Sequence, residues 1–141
     1  MKNLLFEIIF LLILSLPASS QKADTLKYKL LEPYDFHLAY LRTDPALLVD
    51  VREPFEFRGR RIRDAVNIPS SGNLEFASDT IDKNVALFLY CTTDYRSNNV
   101  AEFLIKKGFT RVYSLKGGIV AWKKDGFPVI RRKDRRQVGN S

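Results

Sequence analysis

The sequence predicts an α/β fold, a central parallel sheet with helices on both faces. Two observations carry this. Short apolar runs without charge, such as Leu47-Leu48-Val49 and Val85 to Tyr90, have the length and composition of strands buried on both sides. Segments with helical spacing separate them, and strands alternating with helices build parallel sheets. The chain of 141 residues suits a single domain.

The elements follow in order. An alternating stretch around Leu26 to Leu31 reads as an edge strand. Pro33 to Leu41 places Phe36, Tyr40 and Leu41 at helical spacing, and Asp44-Pro45 ends it. Leu47-Leu48-Val49 is the first buried strand, and Glu53 to Phe57 gives one or two helical turns. Ala65 to Pro69 is a short extended piece stopped by proline, and residues 70–84 contain a further helical turn or two. Val85 to Tyr90 is the strongest strand signal. Cys91 follows it, with a polar loop to Arg96 and a helix from Ser97 to Lys107 stopped by Gly108. Arg111-Val112-Tyr113 is the last buried strand, and Gly117-Gly118 opens a helix over Ile119 to Lys124 that Gly126 closes. Tyr113 and Trp122 read as core residues.

The first 20 residues read as a segment apart. Lys2 precedes an apolar stretch from Leu4 to Leu16, Pro17 breaks it, and Ala18-Ser19-Ser20 supplies small residues for cleavage. The stretch is shorter than the about 20 apolar residues a bilayer-spanning helix needs. Residues 1–20 are therefore expected to be a cleaved secretory signal, giving a periplasmic or secreted protein. The alternative is a membrane anchor that is never removed. Residues 21–130 form the expected domain, and residues 131–141 a basic, solvated tail. The net charge of +7 favours encounter with anions. No recognition motif accompanies it, so nucleic acid is not an expected partner.

Export gives the single cysteine its interest. One thiol cannot form an internal disulfide, so Cys91 is either a small core residue or a reactive group. Its position at the carboxyl end of a parallel strand, before a helix N-terminus, is where α/β sheets bind ligands. Unpaired amides and the helix dipole there stabilise a thiolate, and Arg96 adds a positive charge. The only histidine, His37, lies far from this motif and reads as a solvent-side residue of the first helix.

Four ordered segments resemble the rhodanese family over about residues 27–129. Cys91-Thr92-Thr93-Asp94-Tyr95-Arg96-Ser97 resembles its active-site loop. Leu48 to Glu53 is similar to its Asp-Val-Arg strand, Gly59 to Pro69 to its second signature, and Val112 to Trp122 to its Gly-Gly-x-x-x-Trp segment. The resemblance implies a sulfurtransferase in which Cys91 takes the outer sulfur of a small anionic, thiosulfate-like donor as a persulfide. Cyanide, a thiol or a protein thiol then accepts it. Thr92, Thr93, Asp94, Tyr95, Arg96 and Ser97 would bind substrate, and no metal or cofactor is implied. A module that carries sulfur to a protein partner without turning over small substrates is the alternative.

Other residues are weighed beside the loop. Asp50 and Arg52 match positions that tie strand end to loop. Arg58, Arg60, Arg61 and Arg63 form a basic cluster, of which Arg60 and Arg61 could line the pocket mouth. Asp94 and Asp64 stand where the family often has glycine, so both are expected at positive φ. The Asp94 carboxylate would oppose an anionic donor if it pointed inward. Cys91 and Arg96 enclose four residues, one fewer than the Cys-x5-Arg loops of related phosphatases and arsenate reductases, a width that suits sulfur over phosphate.

Overall fold

The computed structural model describes residues 27–131. Its strands are β1 (Lys29–Leu31), β2 (Ala46–Asp50), β3 (Arg60–Arg61), β4 (Val66–Asn67), β5 (Ala86–Tyr90), β6 (Val112–Leu115) and β7 (Ile130–Arg131). The helices are α1 (Pro33–Leu41), α2 (Pro54–Gly59), α3 (Leu74–Thr80), α4 (Tyr95–Lys106) and α5 (Gly118–Lys124). Five strands form one sheet in the order β1-β6-β5-β2-β4, and every pairing in it is parallel. The expected α/β class, with a central parallel sheet, is the one observed. Residues 1–20, read as a signal, lie outside the described residues, as does the tail beyond Arg131. Among the described residues no helix is long and apolar enough to cross a membrane.

Strand β5 shows why the sheet is covered twice. All five of its residues are buried, and side chains alternate between faces. Leu87 and Leu89, continued by Cys91, pack with Val100, Ala101 and Leu104 of α4. Ala86, Phe88 and Tyr90 face the other way, against Phe36 of α1 and Ile119 and Trp122 of α5. Each large apolar side chain so buried contributes about 1.5–3 kcal/mol. A strand polar on one face could not occupy this position.

Several boundaries move. Helix α4 begins at Tyr95, two residues before the expected start, because Asp94 departs from helical geometry and its carbonyl accepts the first turn's bond from the Asn98 N–H at 2.9 Å. Gly108 does end it, with φ of 91°. Strands β3 and β7 pair antiparallel as a separate ribbon that the sequence does not announce, and Arg131, assigned to the tail, is paired there with Arg60. His37 is half-buried rather than solvent-side: its ring lies 5.3 Å from those of both Trp122 and Phe127. This flank of α1 faces Trp122 of α5 and Phe127 just beyond it. Trp122 is buried and donates its indole N–H to the Pro128 carbonyl at 2.9 Å. Tyr113 stacks on Phe88 at 4.4 Å.

Candidate active site

The chain leaves β5 at Tyr90 and turns through residues 91–94 into α4. Two features fix this turn from behind. The N–H groups of Ile119 and Val120, at the start of α5, donate to the carbonyls of Cys91 (2.9 Å) and Thr92 (3.2 Å). Gly118 lies flat against the turn at φ of 58°; a Cβ there would stand 2.5 Å from the Cys91 oxygen and 2.6 Å from that of Thr92, with Thr93 closer still. Only glycine permits this approach. With the carbonyls drawn toward α5, the amides are left for the opposite side. Among the described residues, no backbone N–H from Thr92 to Ser97 donates a hydrogen bond to the protein. Such a run of free amides at a helix start is a concavity suited to an anion.

Cys91 is 1% exposed and sits at the base of the turn. Above it a closed set of hydrogen bonds joins three side chains. Arg96 donates to both oxygens of Glu56, from Nη1 to Oε2 at 2.8 Å and from Nη2 to Oε1 at 3.0 Å. The Thr92 hydroxyl donates to Glu56 Oε1 at 2.9 Å and accepts from Arg96 Nη2 at 2.9 Å. The Glu53 N–H adds a bond to Glu56 Oε2 at 3.0 Å. The hydrogen bonds from Arg96, assisted by the Glu53 and Thr92 bonds, outweigh burial and bring the Glu56 pKa down to about 2, so it is a carboxylate at any ordinary pH. Arg96 is held more firmly positive, chiefly by Glu56 and further by contact with the Cys91 thiol.

Sequence reasoning missed Glu56. It sits at the third position of α2, where the Glu53 to Glu56 spacing after a proline start signals a helix-end cap. That cap was readable. Its second role, holding a guanidinium 40 residues away, depends on tertiary contact.

The expected substrate-binding residues divide. Thr92 and Arg96 stand together over Cys91, the latter on the first turn of α4 rather than in the loop. Thr93 and Tyr95 are exposed, Tyr95 at 74%. Ser97 is buried: its hydroxyl donates to the Asp94 carbonyl at 3.0 Å and bonds the Ser114 hydroxyl at 2.9 Å, so only its amide faces the concavity. Asp94 differs from expectation. Its φ is −169°, an extended value open to any residue, and its Oδ2 accepts from the Gly117 N–H at 2.9 Å. The left-handed residues are Gly117 and Gly118 across from it, which relieve Asp94 of that requirement. Asp64 does take positive φ, at 64°.

Asp50 and Arg52 form a separate, buried pair at the end of β2. Arg52 Nε donates at 2.9 and 3.1 Å to the two carboxylate oxygens, and Nη2 reaches the Arg60 carbonyl at 2.7 Å. This ties strand end to ribbon and leaves neither group facing Cys91. Arg60 and Arg61 lie on that ribbon, with the Arg61 guanidinium 4.9 Å from the Phe57 ring. Among the described residues no hydrogen bond or ion pair joins either to residues 91–97, and no His, Cys, Asp and Glu cluster could hold a metal.

Residues 35–125 match the model of the rhodanese-like domain. The chain belongs to the rhodanese-like family. The uncharacterized protein YqhL of Bacillus subtilis is 36% identical over 122 residues, covering 86% of this chain and 94% of that one. A sulfurtransferase of Allochromatium vinosum is 34% identical over 88 residues, 62% of this chain and 81% of the relative. Among solved structures, a rhodanese-related protein from Thermoplasma volcanium superposes with a TM-score of 0.65 at 28% identity, covering 73% of this chain and 98% of that one. Family and relatives support sulfur transfer in general as the chemistry of this fold.

Proposed function

We propose that this rhodanese-like protein is a sulfurtransferase that carries sulfane sulfur on Cys91 as a persulfide. The observation that supports this best is the run of free amides from Thr92 to Ser97 around the only cysteine. In the first half-reaction the Cys91 thiolate attacks the outer sulfur of the donor. A bond forms between Sγ and that sulfur, the donor S–S bond breaks, and its electron pair leaves with the rest of the donor. In the second, a thiol or cyanide acceptor attacks the outer persulfide sulfur and the electron pair returns to Sγ. No external oxidant or reductant enters, and ping-pong kinetics follow. The amides and Arg96 stabilise negative charge on both the thiolate and the persulfide.

The burial of Cys91 supports passage of a single sulfur atom over a tetrahedral oxyanion, in line with the short span from Cys91 to Arg96. Incubation with sulfane donors followed by intact mass is the test. A gain of one sulfur atom, absent in Cys91→Ser, is expected; an unmodified wild type with a titratable thiol overturns the reading. We further propose export, on the character of residues 1–20. The mature protein is then expected to begin near Gln21, and an exported product that retains Met1 contradicts cleavage.

A further inference from the structure

We infer that Glu56 is a specificity-determining residue that turns the pocket away from oxyanion donors such as thiosulfate and toward organic persulfides. This rests on sulfur transfer through Cys91 and names the donor class. The guanidinium and hydroxyl that stand over Cys91, those of Arg96 and Thr92, are the groups that would hold a donor's sulfonate oxygens. Both are already occupied by the protein's own carboxylate, through three hydrogen bonds of 2.8–3.0 Å. The Glu56 carboxylate offsets the Arg96 guanidinium, so this pair adds no net positive charge where a dianion would sit.

The two donor classes load this site differently. With thiosulfate, the thiolate attacks the outer sulfur, the S–S bond breaks and sulfite departs with two negative charges, next to Glu56. With a persulfide, Cys91–S⁻ attacks the outer sulfur of R–S–SH, giving Cys91–S–SH and R–S⁻. The proton stays on the transferred sulfur, and one negative charge passes from Sγ to the leaving thiolate. Exposed aromatic side chains adjoin both members of the pair in the chain. Phe55, next to Glu56, is 68% exposed, and Tyr95, next to Arg96, is 74% exposed.

The test compares loading of Cys91, read as the gain of one sulfur atom by mass, from thiosulfate and from the persulfide of 2-mercaptoethanol, whose carbon body is uncharged. Glu56→Gln removes the charge and keeps the shape. It should raise the thiosulfate-to-persulfide loading ratio by about tenfold, the scale of one unit charge at a few ångströms in a partly wet site. Glu56→Asp, which keeps the charge, should leave the ratio near that of wild type. A ratio unchanged in Glu56→Gln overturns the inference. Should Glu56→Gln not fold, wild type alone decides. Sulfate at millimolar concentration is expected not to slow persulfide loading; competition by sulfate overturns the inference. Loading by neither donor overturns the Cys91 reading itself, a result distinct from equal loading by both.

Discussion

One arginine–carboxylate pair precedes α2 and a second includes Glu56 on it, and the two differ in almost every physical respect. Asp50 and Arg52 are two residues apart, with side chains 0% and 6% exposed. Glu56 and Arg96 are 40 residues apart, with side chains 20% and 32% exposed. The first pair fills the end of β2. Its remaining capacity goes to the Arg52 N–H and the Arg60 carbonyl, and Asn67 ties the adjoining carbonyls of residues 50 and 52. Burial opposes the Arg52 charge, and the bonds to Asp50 more than restore it. The second pair spans the mouth of the Cys91 turn, partly exposed to water. A buried pair is costly to break because the surviving charge is stranded. A partly wet pair contributes little to stability, and its charge acts on what approaches it.

Four experiments sharpen this contrast, from the largest expected effect downward. Cys91→Ser should abolish sulfur loading while leaving the melting curve close to wild type; residual loading would place the sulfur elsewhere. Asp50→Ala should cost about 3–5 kcal/mol in urea unfolding by stranding Arg52, far more than any change at Glu56. A loss below about 1 kcal/mol would mean that water reaches the vacated site, and the contrast between the pairs would fail.

Glu56→Gln comes third, at about 1 kcal/mol or less after allowance for solvent screening. Its sign with pH is defined. The folded-state pKa of Glu56 lies below the usual 4.5, near 2, so its stabilisation is complete above the unfolded value. The stability difference between wild type and Glu56→Gln should therefore shrink as pH falls from about 4.5 to about 2; a constant difference would show that charge is not its origin. Arg61→Ala should be the mildest, losing about 0.5–1 kcal/mol of ring contact with Phe57 and leaving loading unchanged. Slower loading would return Arg61 to the pocket mouth.

How much was readable from the chain follows from the range of the interactions. Strand β5 announced itself because a strand buried on both faces must be apolar throughout, and the neighbouring strands are fixed by the same requirement. Strands β3 and β7 did not, since two-residue elements with arginines at three of four positions carry no periodicity. Asp94 was misjudged for a related reason. Its backbone is set by the left-handed pair Gly117-Gly118, which the fold brings alongside from the next crossover.

The sequence by itself determined the α/β class, the place of Cys91 at the end of the central strand, and Arg96 at the far end of the loop that follows, which the structure moves onto the first turn of α4. These rest on local periodicity and on the chain order of strand, turn and helix. The tertiary structure alone decided three things: that α5 draws the loop carbonyls away and bares the amides, that Asp94 turns toward Gly117, and that Glu56 occupies Arg96. Each depends on groups more than 20 residues apart meeting within hydrogen-bond distance, which no local pattern encodes.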